Sequence, residues 1–296
     1  MSNTIFKGIA TALITPFKPD GSIDFDAYGR IIDWQIESGI DALVSCGTSG
    51  ENPTLSDEEH RAVLKYAVER TAGRVPLIAG TGSNDTQHAV EMTKYACSIG
   101  ADAVLVVTPY YNKATQSGLV QSFTAIADAS TVPVILYNVP SRTGCNILPA
   151  TYAKLAAHPR IQAIKEANGS ISSVVETMSL VKGRLDLYSG NDDQIVPIMA
   201  MGGLGCISVL SNVMPKETCE IAKRFFAGDI EGAAELQMRY VELINALFCE
   251  VNPIPAKAAM AAMGWCEDVL RLPLTPMEPA TRERLLSAMR REGLVK

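Results

Sequence analysis

The chain has 296 residues, 47% of them hydrophobic and 20% charged, enough apolar material to bury a substantial core. Its formal net charge of −6 argues against nucleic acid and anionic membrane surfaces as partners, while leaving room for small anions held by local cations. Seven scattered cysteines, odd in number and without a CxxC pair, point away from a disulfide framework and toward a reducing cytoplasm.

The N-terminal stretch MSNTIFKGIATALITPF carries one cation and a short apolar run ended by Pro16, which reads as a first strand and not a signal peptide. Its strand-like part is GIATALIT (8–15). Further β-type runs follow at IDALVSC (40–46), VPLIAG (75–80), DAVLVVT (102–108) and VPVILYN (132–138). Three more lie at IQAIK (161–165), LDLYSG (185–190) and GCISVL (205–210). Helical patterns such as SDEEHRAVLKYAVER (56–70) separate them, and most of the runs are apolar throughout, as in a parallel sheet buried on both faces.

Eight β/α units in about 230 residues predict an α/β chain with a (β/α)8 TIM barrel over residues 1–228. A doubly wound open sheet is the alternative, but no glycine-rich dinucleotide turn follows the first strand. Residues 195–215 carry no charge and are long enough to span a membrane. Pro197, Gly202, Gly203, Gly205, Ser208, Ser211 and Asn212 divide that stretch into helix, turn, strand and loop instead. After Gly228 the strand signals stop. DIEGAAELQMRYVELINALF (229–248), NPIPAKAAMAAMG (252–264) and MEPATRERLLSAMRREG (277–293) predict helices, a C-terminal helical appendage over 229–296 suited to packing or assembly.

Polar residues gather just after the strands, in GTSGE, GTGSND, TPYYN, YNVPSRTG, KEANG, SGND and SVLSN. A barrel brings these segments to one mouth, at the C-terminal ends of its strands, where chemistry is placed. Lys165 stands there alone in AIKEANG (163–169). Successive strand residues face opposite ways, so if Ile161 and Ala163 face inward, Lys165 does too, and Glu166 turns toward the covering helices. An ordinary lysine is neutral about once in 2,500 at pH 7, and an apolar barrel interior raises that fraction by disfavouring the cation. A neutral amine can attack a ketone to form a Schiff base. The alternative is a lysine snorkelling out over the barrel rim.

Tyr137, at the end of VILYN, can place a phenol near that amine and relay protons, or can be a core tyrosine with a satisfied hydroxyl. Thr48 and Ser49 in GTSGE offer two hydroxyls and a turn of backbone N–H groups that can hold a carboxylate, or else form an ordinary capped loop. Arg142, in a proline–glycine loop, can clamp a carboxylate with two hydrogen bonds or lie solvated on the surface. Tyr110 and Tyr111 are adjacent, so one can face a pocket while the other lines an interface.

Taken together, GIATALITPF, GTSGE, TPYYN, YNVPSRTG, IKEANG, SGND, NPIPAK and LRLPLTP resemble the dihydrodipicolinate synthases over essentially the whole chain. These belong to the pyruvate-dependent class I aldolase group that includes N-acetylneuraminate lyase, and SRTG is similar to the synthase branch. The resemblance implies that Lys165 forms an imine with pyruvate and that the resulting enamine attacks aspartate 4-semialdehyde, in the diaminopimelate route to lysine. Tyr137, Thr48 and Tyr111 match the proton-relay triad, with the Tyr111 equivalent supplied by a neighbouring subunit of a homotetramer built from two tight dimers. Arg142 matches the residue that holds the aldehyde's carboxylate, Ser49 stands where threonine is more usual, and Gly190 and Ile207 match backbone positions of the pocket floor. A lysine-effector site is matched in part by Asn84, Tyr110 and His60. His88 falls where inhibited members often carry glutamate, and Asn52 and Pro53 replace serine and alanine. An imidazole is a poor partner for an ammonium group, so the resemblance stops short of feedback control.

No cofactor or metal is implied, and the three histidines His60, His88 and His158 lack the spacing of a metal pair. The closest rival is another pyruvate-dependent aldolase or hydratase, opposed by Arg142. A phosphate-gripping barrel is suggested by MGGLG (201–205), but those glycines precede the last strand, on the wrong side of the barrel. A non-catalytic binding barrel is expected to lose the lysine or the tyrosine, and both are present.

Overall fold

The computed structural model describes residues 4–181 and 183–296. Eight parallel strands close into a barrel in sequence order, the TIM-barrel architecture: β1 Gly8–Ala12, β2 Ala42–Ser45, β3 Leu77–Gly80, β4 Ala103–Val107, β5 Val134–Asn138, β6 Ile161–Glu166, β7 Asp186–Ser189 and β8 Gly205–Ser208. Each apolar run holds one strand, most of them trimmed by a few residues at the ends, while β6 runs one residue past its run to Glu166. Gly8 and Gly205 meet where β8 closes on β1, and a Cβ on Gly205 would sit 1.6 Å from the Gly8 carbonyl oxygen, so this seam requires glycine.

The helices are α1 Phe25–Glu37, α2 Asp57–Thr71, α3 Thr86–Ser98, α4 Gln116–Asp128, α5 Pro140–Thr143, α6 Pro149–Leu155, α7 Ile171–Val181, α8 Ile195–Ala200 and α9 Pro215–Phe226. They are followed by α10 Ile230–Arg239, α11 Val241–Leu247, α12 Ile254–Ala262 and α13 Pro279–Arg291. Helix α2 begins at a capping box: the Ser56 hydroxyl accepts from the Glu59 N–H at 3.2 Å and the Glu59 carboxylate accepts from the Ser56 N–H at 2.9 Å. Residues 195–215 split into α8, a turn, β8 and a short 3-10 turn at Leu210–Asn212, and among the described residues no helix is long and apolar enough to cross a membrane.

Strand alternation sorts the core into two layers. One cluster fills the barrel: Ala10, Ala12, Ala42, Val44, Ile78, Ala103, Leu105, Ile135, Tyr137, Ala163, Tyr188 and Ile207. Phe6 enters it ahead of β1 and stacks on Tyr188, ring centroids 4.1 Å apart. The other cluster joins the outer faces of the strands to the helices and includes Leu43, Val104, Leu136, Ile164 and Leu187.

Two local expectations fail. Ile161 lies in the outer cluster while Ala163 lies inside, because the β5–β6 register shifts, pairing Val134 with Ile161 but Ile135 with Ala163. Gln162 takes up the extra residue, and alternation from Ala163 onward still turns Lys165 inward. The helix anticipated over 229–248 divides at Tyr240, whose φ of −88° and ψ of 1° leave the helical path while its ring stays buried. From the end of α11 the chain returns to the barrel mouth, carrying Phe248 and Asn252 there, and α12 places Lys257 beneath the turn that follows β2.

Candidate active site

Lys165 and Tyr137 are paired in register on neighbouring strands, and both side chains point into the barrel. The Lys165 Nζ lies 4.2 Å from the centroid of the Tyr137 ring. Both residues are buried. Among the described residues no carboxylate lies within ion-pair distance of Lys165; the buried lysine that does have one is Lys257. A cavity of about 150 Å³ opens over the amine, bounded by Thr48, Ser49, Tyr137, Arg142, Gly190 and Asn252, with Ala12, Val139, Ala167, Val209 and Phe248 supplying apolar wall.

The turn after β2 forms one side. Thr48–Gly50 make a single 3-10 turn, and Glu51 closes it in the left-handed conformation at φ 52°. The first N–H groups of such a turn have no partner within it and face outward, a donor array suited to a carboxylate. The buried Ser49 hydroxyl accepts a hydrogen bond from Asn252 Nδ2 at 3.0 Å, so the C-terminal region fixes this wall. Behind it Glu51 is ion-paired with Lys257, both side chains fully shielded from solvent. The Lys257 amine lies 4.0 Å from the centroid of the Phe17 ring.

On the opposite side, Val139 leads into α5, which carries the exposed Arg142 over both this cavity and an adjoining apolar cleft of about 290 Å³. Tyr110, Val107, Pro53, Val251 and Leu274 line that cleft, which shares Thr48, Val139, Arg142 and Asn252 with the smaller cavity. Gly190 sits against the amine's stem: a Cβ there would lie 3.2 Å from Lys165 Cε and 2.8 Å from Ala167 Cβ. Beyond it, the buried carboxylate of Asp192 accepts from the Val209 and Leu210 N–H groups at 3.0 and 2.9 Å, and burial pushes its pKa above the ordinary carboxylate value.

The residues singled out in the sequence therefore fall into groups. Lys165, Tyr137, Thr48, Ser49, Arg142 and Gly190 all border one cavity. Ile207 belongs to the interior cluster with Tyr137, and it is Val209, two residues on, that reaches the wall. Tyr111 is 89% exposed, has φ 71° and borders neither cavity, whereas Tyr110 lines the adjoining cleft.

The residues of the candidate effector site are engaged differently. His60 is buried on α2 and donates from Nε2 to the Gly80 carbonyl at 2.9 Å, and burial lowers its pKa. His88 Nε2 lies 3.8 Å from Asp57 Oδ1, and the Asn84 carbonyl accepts from Asn112 Nδ2 at 2.9 Å.

Sequence reasoning assigned no role to Asn252, Glu51, Lys257 or Phe248. One signal was available: Lys257 is a lone charge within the otherwise apolar helix IPAKAAMAA, which calls for a buried counter-ion. Among the described residues there is no group of three or more histidine, cysteine or acidic side chains able to hold a metal ion.

The family described as dihydrodipicolinate synthetase matches residues 5–292. A 4-hydroxy-tetrahydrodipicolinate synthase of Caldicellulosiruptor bescii is 52% identical over 286 residues, covering 97% of this chain and 97% of that protein. The crystal structure of the dihydrodipicolinate synthase of Thermotoga maritima superposes with a TM-score of 0.96 at 42% identity, covering 99% of this chain and all of that one. A monomeric dihydrodipicolinate synthase variant superposes equally well, TM-score 0.96 at 42% identity over 98% of each chain.

Proposed function

The chain belongs to the dihydrodipicolinate synthetase family, and from that premise we propose that it condenses pyruvate with aspartate 4-semialdehyde through a Schiff base on Lys165. The observation that carries this is a lysine held inside the barrel mouth, against a tyrosine ring and open to a small cavity, with no ion-paired carboxylate among the described residues.

The neutral amine attacks the keto carbon of pyruvate, and the resulting carbinolamine loses water to give the imine. The imine withdraws electrons from the methyl group, which gives up a proton and becomes an enamine carbon. That carbon bonds to the aldehyde carbon of the second substrate, whose oxygen takes up a proton. The substrate's own amine then attacks the imine carbon, closing a ring and expelling Lys165 as a free amine. Each step moves a proton, and the Tyr137 phenol suits that relay because its oxygen both donates and accepts. Thr48 and Ser49 at the 3-10 turn suit the pyruvate carboxylate. Arg142, free on the rim, suits the carboxylate of the longer aldehyde through paired hydrogen bonds. Its presence favours this reaction over that of a pyruvate-dependent aldolase acting on an uncharged aldehyde.

Tyr111 is the third relay group in this reading, contributed by a second copy of the chain. Its side chain stands in solvent outside both of its own cavities, while the apolar cleft beside Thr48 has room for a ring. The working unit is then a homo-oligomer, a tetramer of two tight dimers. The Asn84, Tyr110, His60 and His88 cluster is read as a vestigial effector site, since His60 is already committed to Gly80 and His88 faces Asp57.

Borohydride reduction in the presence of pyruvate tests the assignment. A pyruvate-derived mass increment on the peptide containing Lys165 is expected, and its absence removes the imine mechanism. A coupled assay with both substrates, repeated with added lysine, is expected to show turnover that lysine leaves unchanged.

A further inference from the structure

The strand pairing that sets Tyr137 beside Lys165 inside the barrel also sets Asn138 against Glu166 outside it. Glu166 is buried, and hydrogen-bond donors converge on its carboxylate from three segments. Asn138 Nδ2 on β5 lies 3.0 and 3.2 Å from its two oxygens, the Asn168 N–H 2.9 Å and the Tyr152 hydroxyl of α6 3.0 Å. Asn138 is itself fully used, donating to Asn146 Oδ1 at 2.8 Å and accepting from the Ile147 N–H at 3.0 Å. Those two residues end the loop that carries Arg142.

We propose that Glu166 is a positioning residue for the reaction proposed above: from behind the sheet, its carboxylate clamps the ends of β5 and β6 so that the Tyr137 phenol is held at the Lys165 amine. The inference rests on the Lys165 reading. Its physical basis is the cost of the group. Apolar groups also press on Glu166, with Ile164 and Leu187 on the strands and Val174 and Met178 on α7, so keeping a carboxylate there costs desolvation that an aliphatic side chain would not incur. A carboxylate is acceptor-only and can take several donors at once, which no aliphatic or hydroxyl side chain can do. The site-bearing ends of two neighbouring strands are thereby tied to one rigid acceptor.

Burial pushes the Glu166 pKa up to about 7, opposed by the donors it accepts from. The groups that face it are Asn138 from β5, Asn168 from the following loop, Tyr152 from α6 and Val174, Thr177 and Met178 from α7, so Tyr152 is the one other titratable group against it among the described residues. Protonation replaces an acceptor by a donor. The clamp therefore loosens as pH falls through the neutral range, and catalysis should follow.

The test uses the full-length enzyme with Glu166→Ala and Glu166→Gln, measuring kcat, KM for pyruvate, the rate of borohydride-trappable imine formation, and kcat against pH. Glu166→Ala is expected to lower kcat by about 100-fold, the scale of a misplaced proton-transfer group, with KM for pyruvate within about threefold. Glu166→Gln, whose carbonyl still accepts from Asn138 and Asn168, is expected to recover to within about tenfold of wild type and to lose the acidic limb of the pH profile. A folded Glu166→Ala enzyme with wild-type kcat overturns the proposal. If Glu166→Ala does not fold, Glu166→Gln decides: a reduced kcat with an altered pH profile sustains the clamp, and a profile identical to wild type overturns it. A wild-type enzyme that forms no pyruvate adduct removes the Lys165 reading itself, whereas an adduct-forming wild type with indifferent variants removes only this one.

Discussion

Among the described residues two lysines lie buried, each with its amine about 4 Å from an aromatic centroid, and they have opposite surroundings. Lys257 sits on α12, fully shielded, ion-paired with Glu51 and set over Phe17. Lys165 sits near the end of β6, over Tyr137, with a cavity in front of it and, among the described residues, no carboxylate within ion-pair distance. Burial lowers the Lys257 pKa, and Glu51 works against that shift by favouring the charged form. A buried cation with a fixed counter-ion is a structural tie. A buried amine that faces a cavity with no ion-paired carboxylate is placed to act as a reagent.

The largest effect should come from testing the reagent. Lys165→Ala is expected to lower kcat by about ten-thousand-fold or more, since no other group can carry the covalent intermediate, and to abolish the borohydride-trapped adduct. Its urea midpoint should stay close to that of wild type, because the substitution breaks no ion pair or hydrogen bond found among the described residues. A large loss of stability would mean that Lys165 is a structural cation after all, and the contrast with Lys257 would collapse.

Lys257→Met should behave in the opposite way. It leaves Glu51 buried and uncompensated, and urea unfolding is expected to show a loss of about 3–5 kcal/mol. The double variant Glu51→Gln with Lys257→Met is expected to recover most of that loss, as the amide still accepts from the Arg271 N–H, now 3.2 Å from Glu51 Oε2. If single and double variants were equally unstable, the pair would not be the source of the stability. Partial activity in the double variant would show how far the Thr48–Ser49 wall depends on this tie.

Why one lysine was legible in the sequence and the other was not follows from distance along the chain. Lys165 announces itself locally: it closes an apolar strand, and alternation from Ala163 is enough to turn it inward. The barrel was legible for the same reason, since each strand is a short apolar run bounded by turn residues. The Glu51–Lys257 pair joins residues 206 apart, and no periodicity in either segment names the other. Asn252 and Ser49 meet across 203 positions and were equally hidden. The shift at Gln162 is hidden in the sequence because no glycine or proline marks it. The separate placement of Tyr110 and Tyr111 was anticipated from their adjacency alone, since neighbouring side chains diverge.

The smallest effect sharpens the comparison at the edge of the paired region. Arg271 extends the Lys257 cluster toward solvent: its guanidinium lies 4.5 Å from the same Phe17 ring and binds both oxygens of Glu59, at 2.7 and 2.5 Å. These hydrogen bonds hold the Glu59 carboxyl down at about 2, against the burial that would raise it. The unfolded chain takes up a proton near the ordinary glutamate value of about 4.3, so stability from this pair is complete above that pH and is lost as pH falls toward 2. Arg271→Lys keeps the charge but gives up the paired geometry, so the Glu59 carboxyl should rise toward its ordinary value. The variant's urea midpoint is then expected to lie below that of wild type at pH 5 and to fall less steeply toward pH 2, where the two proteins converge. Because the pair is partly exposed, solvent and salt screen it, and the displacement should be small and should shrink further with added salt. An acid limb that did not move would assign the low Glu59 pKa to the capping box at Ser56, and the charged region behind the Thr48–Ser49 wall would end at Lys257 and Glu51.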